Sequence, residues 1–225
     1  VPAPISIVIP TLNAGDSLPE TLAALFEGLQ AGLIRELVLS DGGSADHTMK
    51  IAEEAGAVVV FGPASRGGQL RRGCAEAKGD WLLVLHADTV LEPGWSEAVA
   101  AHLEAGQQPA AFRLGFRASG FWPGWVAGWA NLRSRLFGLP YGDQGLLVPR
   151  AVYDAAGGYP DIPLMEDVAL VRALPRVALL RPRALTSADR YLRAGWLRRG
   201  ARNLWTLLRY LLGADPERLA RDYRR

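Results

Sequence analysis

Ile5-Ser6-Ile7-Val8-Ile9 runs directly into Pro10-Thr11-Leu12-Asn13, and this junction sets the fold. A short run rich in Val and Ile, stopped by turn-forming residues, has the form of a buried parallel strand. The pattern recurs at Leu37-Val38-Leu39 before Ser40-Asp41-Gly42, and at Trp81-Leu82-Leu83-Val84-Leu85 before His86-Ala87-Asp88. Helix-like segments separate the runs, which predicts βαβ units and a mostly parallel α/β sheet with right-handed crossovers. Ligands of such sheets bind outside the carboxyl ends of the strands. The polar tails are therefore expected to converge on one crevice. Aspartates on two of them suit a polar, phosphate-bearing and metal-assisted ligand.

Working outward, Ser17-Leu18-Pro19-Glu20 has the spacing of a capping box and predicts a helix to about residue 31. Its apolar face would hold Leu18, Leu22, Leu25, Phe26 and Leu29. Helices are expected near 46–55, 70–78 and 95–105, and a third strand at 57–61. Beyond 105 the alternation lapses. Phe112, Leu114 and Phe116 alternate as in a half-exposed strand. Trp122, Trp125 and Trp129 stand at helical spacing and form either an acceptor platform or core. A strand at 143–149, a helix within 164–174 and short strands at 177–180 and 184–186 follow. A basic amphipathic helix at 195–213 and another after Asp215-Pro216 end the chain.

The 225 residues suffice for one domain with a real core, and 49% apolar with 21% charged residues fits a globular chain. The net charge of +2 hides an asymmetry: residues 1–171 carry 11 Lys/Arg against 19 Asp/Glu, and residues 172–225 carry 14 Arg against 4 acids. A basic end on an acidic body suggests an anionic partner: a membrane surface, a phosphate group or nucleic acid. Cys74 is the single cysteine, which excludes an internal disulfide and a cysteine zinc site. No secretory leader or spanning run is visible, so a cytoplasmic location is expected. The long basic helix either lies on anionic lipid or packs on the domain with its arginines solvated.

Several residues have the chemistry for a site. His86 and Asp88, two apart in extended chain, point the same way. Asp88 suits Mg2+ or Mn2+, or caps a strand-ending turn. Asp41 either accepts a hydrogen bond from a base or ribose or closes an Asx turn. Arg66-Gly67-Gly68 lacks a P-loop ending, yet an arginine before a helix N-terminus suits a diphosphate. Glu166-Asp167 supplies either a general base or two acids that favour a helix start. Gly142-Asp143-Gln144 is equally a polar turn or part of a site. His47 and His102 are read as solvated, and Cys74 as a packing residue.

Taken in order, Ile7-Val8-Ile9-Pro10-Thr11-Leu12-Asn13, Asp41-Gly42-Gly43-Ser44, Arg66-Gly67-Gly68-Gln69, His86-Ala87-Asp88, Gly142-Asp143-Gln144 and Glu166-Asp167 resemble the family 2 glycosyltransferases. The resemblance implies the GT-A fold, with a nucleotide-binding half at about 1–105, an acceptor half at about 106–190, and appended helices at 191–225. It implies donor contacts from Pro10, Thr11, Asn13, Asp41, Arg66, Gln69, His86, Ala87 and Asp88. A divalent metal, Mg2+ or Mn2+, would sit on Asp88 at the donor diphosphate. Asp167, paired with Glu166, would be the base for an inverting transfer. Asp143, Gln144, Trp122 and Arg190 would face the acceptor, lipid-linked or small. A cytoplasmic protein peripheral to the inner membrane face would fit, and no nucleic-acid partner is expected.

Two positions depart from the family pattern: His86 replaces the first acid of Asp-x-Asp, and Ala14-Gly15 follows Asn13 where an acid is common. A nucleotidyltransferase is the alternative enzyme, but it needs a basic Gly-rich loop where Thr11-Leu12-Asn13-Ala14 stands. A non-catalytic nucleotide-sugar-binding or membrane-adaptor protein is the other alternative. Retention of Asp88 with Glu166-Asp167 argues against it.

Overall fold

In the computed structural model, which describes residues 3–224, the first half of the chain alternates strand and helix. It contains β1 (Ile5–Thr11), α1 (Leu18–Gln30), β2 (Ile34–Asp41), α2 (Thr48–Glu54), β3 (Val58–Phe61), α3 (Arg66–Glu76), β4 (Trp81–Val84), β5 (Thr89–Leu91) and α4 (Trp95–Ala105). The second half holds β6 (Ala110–Phe116), α5 (Phe121–Phe137), β7 (Leu146–Pro149), α6 (Arg150–Ala155), α7 (Glu166–Ala173), β8 (Ala178–Thr186), α8 (Asp189–Ala194), α9 (Trp196–Leu211) and α10 (Pro216–Arg224). A 3-10 turn at Gly142–Gln144 precedes β7.

One sheet takes the order β3-β2-β1-β4-β7-β6-β8-β5. β1 lies parallel between β2 and β4, with Thr11 opposite Asp41 and Val8 opposite Val84. β7 runs antiparallel to both β4 and β6. That reversal brings the turn before β7, and the carboxyl end of β8, to the same edge as the ends of β1, β2 and β4. The apolar runs read as strands buried on both faces, and they are: Ile5, Ile7, Ile9 and Leu83 enter one core, while Val8, Leu82 and Val84 enter the other.

Several local expectations fail for identifiable reasons. β6 is not half-exposed: only Arg113 is open to solvent, because β7 and β8 flank it and Phe112 and Leu114 enter different cores. The two short strands at 177–180 and 184–186 are one strand, β8, which absorbs Pro182 at a register shift against β6. The capping box does not close. Ser17 Oγ donates to Ala14 O at 3.3 Å, and Glu20 instead pairs with Arg117. The buried face of α1 is Leu18, Thr21, Leu25 and Gly28, with Phe26 and Leu29 exposed. α3 starts four residues earlier than expected, at Arg66, because Ser65 Oγ accepts the Gly68 N–H at 3.3 Å and caps it.

The last long helix reverses the expectation that its apolar side packs on the domain. Arg202 and Arg209 of α9 bond Asp222 of α10, and Asn203 donates to Tyr191. Leu197, Leu204, Trp205, Leu208 and Leu211 are exposed, and Leu207 is buried. Among the described residues no helix is long and apolar enough to cross a membrane.

Candidate active site

The ends of β1 and β2 are held together by a web of short polar contacts. Asp41 Oδ1 accepts the backbone N–H groups of Gly43 and Ser44, both at 2.8 Å. Its Oδ2 accepts Thr11 Oγ1 at 2.9 Å and Ser44 Oγ at 2.5 Å. Burial alone would raise the Asp41 pKa, but these donors outweigh it and hold the carboxyl below its usual range. Asn13, at φ 50, braces the same loop: its Oδ1 accepts Ala45 N at 2.9 Å and its N–H donates to Ser44 Oγ at 2.8 Å. Gln69 Nε2 bridges the two strand ends by donating to Thr11 O at 2.7 Å and Ser40 O at 2.9 Å.

Across from this web, three segments meet at the end of β4. α3 approaches the loop before α7 so closely that a Cβ on Gly67 would lie 2.1 Å from Pro160 O. The Gly67 N–H donates to Ile162 O at 3.2 Å. This weld brings Arg66 Nε to 3.2 Å from Glu166 Oε1. Met165, at φ 68, turns the chain into α7, an unusual backbone state for its type. The Gly142 N–H then reaches Asp167 Oδ2 at 2.7 Å, and Asp167 Oδ1 accepts Val168 N at 2.7 Å. Gly142 also packs on His86, whose Nε2 would lie 2.7 Å from a Cβ there.

Burial dominates the electrostatics. It pushes Glu166 up to about 7 against the pull of Arg66, with Asp167 adding to the rise. It pushes Asp143 up to about 6, opposed by Arg133. It drives His86 down to about 3, helped by Arg66, so that the imidazole is neutral at physiological pH. Glu166 Oε2 and Asp143 Oδ1 are buried with no hydrogen-bond partner among the described residues. Both residues border the crevice, with these two oxygens themselves shielded from solvent.

The resulting crevice has a volume of about 630 Å³. Pro10, Thr11, Asn13, Arg66, Gln69, His86, Ala87, Asp88, Asp143, Glu166, Asp167 and Arg190 all line it. Three residues expected there do not. Asp41 is spent on its own loop, as the Asx-turn alternative has it. Gln144 is fully buried, accepting Ser134 Oγ at 2.8 Å and donating to Phe112 O at 3.0 Å. Trp122 lies on the outer side of α5, 42% exposed.

Sequence reasoning missed a wall of the crevice built by the last three helices: Tyr191, Arg193, Arg199, Asn203 and Tyr223. Tyr141 was missed as well. It lies under Arg133, whose guanidinium carbon is 3.5 Å from the ring centroid. No motif spacing points to the five helix residues, since they arrive from α8, α9 and α10 by packing, whereas Tyr141 directly precedes the Gly142-Asp143-Gln144 motif. The crevice therefore draws on both sides of residue 190.

Among the described residues no three His, Cys, Asp or Glu side chains cluster to hold a metal. Asp88 and the neutral His86 are the donors at the end of β4. That sparse set fits an Mg2+ or Mn2+ that keeps waters and takes its remaining oxygens from a substrate diphosphate.

A sheet with parallel strand ends over an acid-rich crevice, fed by a reversed strand, is the architecture of a GT-A glycosyltransferase. S. aureus TarS residues 1–349 superposes with a TM-score of 0.64 at 15% identity, covering 94% of this chain and 66% of that one. Glucosyl-3-phosphoglycerate synthase from Mycobacterium tuberculosis, in complex with Mn2+, UDP and glucosyl-3-phosphoglycerate, gives 0.62 at 21% identity, covering 94% and 81%. At these identities the likeness shows the fold. An uncharacterized glycosyltransferase of Mycobacterium tuberculosis is 30% identical over 172 residues, 69% of this chain and 75% of the relative. The family model described as glycosyl transferase family 2 matches residues 6–144. The chain belongs to glycosyl transferase family 2, and it is a glycosyltransferase.

Proposed function

We propose that the enzyme moves a sugar from a nucleoside-diphosphate sugar to an acceptor hydroxyl, inverting the anomeric carbon, with Asp167 as general base. The observation that carries this is the position of Asp167. Its carboxylate lines the crevice, pinned by Gly142, in the cavity that also holds Asp88 and Arg66 at the strand ends. UDP and Mn2+ in the glucosyl-3-phosphoglycerate synthase complex support a nucleotide-sugar donor and a divalent metal.

In this reading Asp167 takes the proton of the acceptor hydroxyl. The acceptor oxygen bonds to the anomeric carbon as the bond from that carbon to the diphosphate oxygen breaks. The nucleoside diphosphate leaves with the electron pair. Arg66, whose guanidinium Glu166 holds in place, faces the leaving phosphates. Asp88, with His86 beside it, would hold the metal, which supplies charge neutralisation on the leaving group when bound. Arg190, Arg193 and Arg199 on the far wall suit an acceptor that carries negative charge. Asp143 lies between these walls. Asp41 acts through the loop it holds.

The test is calorimetric titration of UDP-, GDP- and other nucleotide sugars with and without Mn2+. Binding of one donor class, tightened by Mn2+, is expected. Absence of metal-enhanced binding for every donor overturns the proposal.

A further inference from the structure

α5 and α9 each leave a stripe of large apolar side chains outside, although α5 also buries Val126, Ala127 and Ala130 and α9 buries Leu207. On α5, Asn131 faces the sheet, accepting Leu114 N at 2.7 Å and donating to Leu114 O at 3.0 Å. Ser134 Oγ donates inward to Gln144. These bonds fix the helix rotation, so Trp122, Trp125, Trp129, Leu132 and Leu136 form a stripe that points outward. Phe121 and the three tryptophans make a continuous edge-to-face row, with neighbouring centroids 5.2 to 6.5 Å apart. On α9, Arg199, Arg202 and Arg209 are bound to Tyr223 and Asp222. That leaves Leu197, Leu204, Trp205, Leu208 and Leu211 facing out. Every residue of both stripes is at least 41% exposed, and α5 packs beside α9. Exposed apolar stripes of this size on neighbouring helices mark an interaction site.

We propose that this two-helix face docks on an anionic lipid bilayer. Neither α5 nor α9 contains an Asp or Glu. Exposed Arg135 and Arg198 lie beside the stripes. Neither has an ion-pair partner among the described residues. The segment from residue 172 onward carries 14 Arg against 4 acids, while the body before it carries a net −8. A surface that is apolar, tryptophan-rich and purely cationic complements anionic headgroups over acyl chains. Against a second copy, a two-fold contact would place these arginines opposite their own kind. Arg199 and Asn203, on the opposite side of α9 from the stripe, line the crevice.

The experiment is co-sedimentation of the full chain with vesicles of phosphatidylcholine alone, or with about 30% phosphatidylglycerol. Binding to the anionic vesicles, weakened by added salt, is expected. A Trp125→Ala/Trp129→Ala/Leu204→Ser/Leu208→Ser variant, its fold checked by circular dichroism melting, should partition at least roughly tenfold less. An Arg135→Glu/Arg198→Glu variant should lose the preference for anionic lipid. Failure of the wild type to bind anionic vesicles overturns the proposal, as does undiminished binding by the apolar variant. A dimer seen by light scattering that the apolar variant disperses also overturns it, in favour of self-association. The readout is binding alone, so it stands or falls apart from the transfer chemistry.

Discussion

Gly142 donates its backbone N–H to Asp167 Oδ2 at 2.7 Å while its α-carbon packs against the His86 ring. One glycine thus sets the spacing between the acid at the start of α7 and the histidine at the end of β4. The antiparallel insertion of β7 makes this possible, because it returns the chain to the crevice at the turn.

Gly142→Ala should break that spacing. Its Cβ would meet His86 Nε2 at 2.7 Å, so the ring must move, at a cost of about 1 to 3 kcal/mol. Adding His86→Ala should recover most of the loss, giving a coupling of at least about 1 kcal/mol in a double-mutant cycle by urea denaturation. Additive effects would mean that His86 is not held by this contact.

Glu166 should give stability a falling limb at neutral pH. Burial raises its carboxyl from an ordinary 4.5 to about 7, against the opposing charge of Arg66. The folded protein therefore keeps this proton after the unfolded chain has lost it. The Glu166 contribution is fully present below about pH 4.5 and is lost as pH rises to about 7. Glu166→Gln should flatten that decline by on the order of 2 kcal/mol across the window. Calorimetric Tm values at pH 5, 6, 7 and 8 check it, and a slope identical to wild type counts against the assignment.

Gly67 and Gly68 should differ sharply. A Cβ at Gly67 meets backbone, Pro160 O at 2.1 Å and Ile162 N at 2.8 Å, whereas at Gly68 the nearest atom is Asp161 Oδ1 at 2.7 Å, the end of a side chain. Gly67→Ala must push α3 away from the loop before α7 and separate Arg66 from Glu166, costing more than about 3 kcal/mol. Gly68→Ala can displace Asp161 and should cost less. Urea midpoints in the order wild type, Gly68→Ala, Gly67→Ala are expected; equal midpoints would place the weld elsewhere.

The strands were legible where burial on both faces leaves an unbroken apolar run, as at Ile7-Val8-Ile9 and Leu82-Leu83-Val84. β6 was misread because a strand inside a sheet can still alternate in residue size. Polar tails identified the crevice, since strand direction alone brings Thr11 and Asp88 to one edge. Residue type did not reveal which tail turns inward: Asp41 spends its chemistry on its own loop, and Gln144 on Ser134 of α5 and Phe112 of β6. Arg199, Asn203 and Tyr223 reach the crevice through packing at long sequence separation, which no local spacing encodes. The apolar side of α9 was legible, but whether it packs on the domain or faces outward was not. A helical stripe shows that a face exists, but the side it turns to depends on Asp222 and Tyr223 on another helix.

Asp167→Asn is the sharpest probe of the transfer chemistry. An asparagine Oδ1 can still accept the Gly142 N–H, giving up the bond from Val168 N to the second oxygen, so the turn and His86 should keep their places. Donor binding should stay within about threefold of wild type, because the change is on the acceptor side of the crevice. What is lost is the acceptor for the hydroxyl proton, so kcat should fall by about 10² to 10⁴. Titration of the nucleotide sugar with Mn2+ measures the first, and release of nucleoside diphosphate in the presence of acceptor measures the second. Glu166→Gln is the companion, since its carboxylate faces Arg66 rather than the open crevice; it should retain more activity than Asp167→Asn. Transfer that survives Asp167→Asn but collapses in Glu166→Gln would move the base one residue toward the N-terminus.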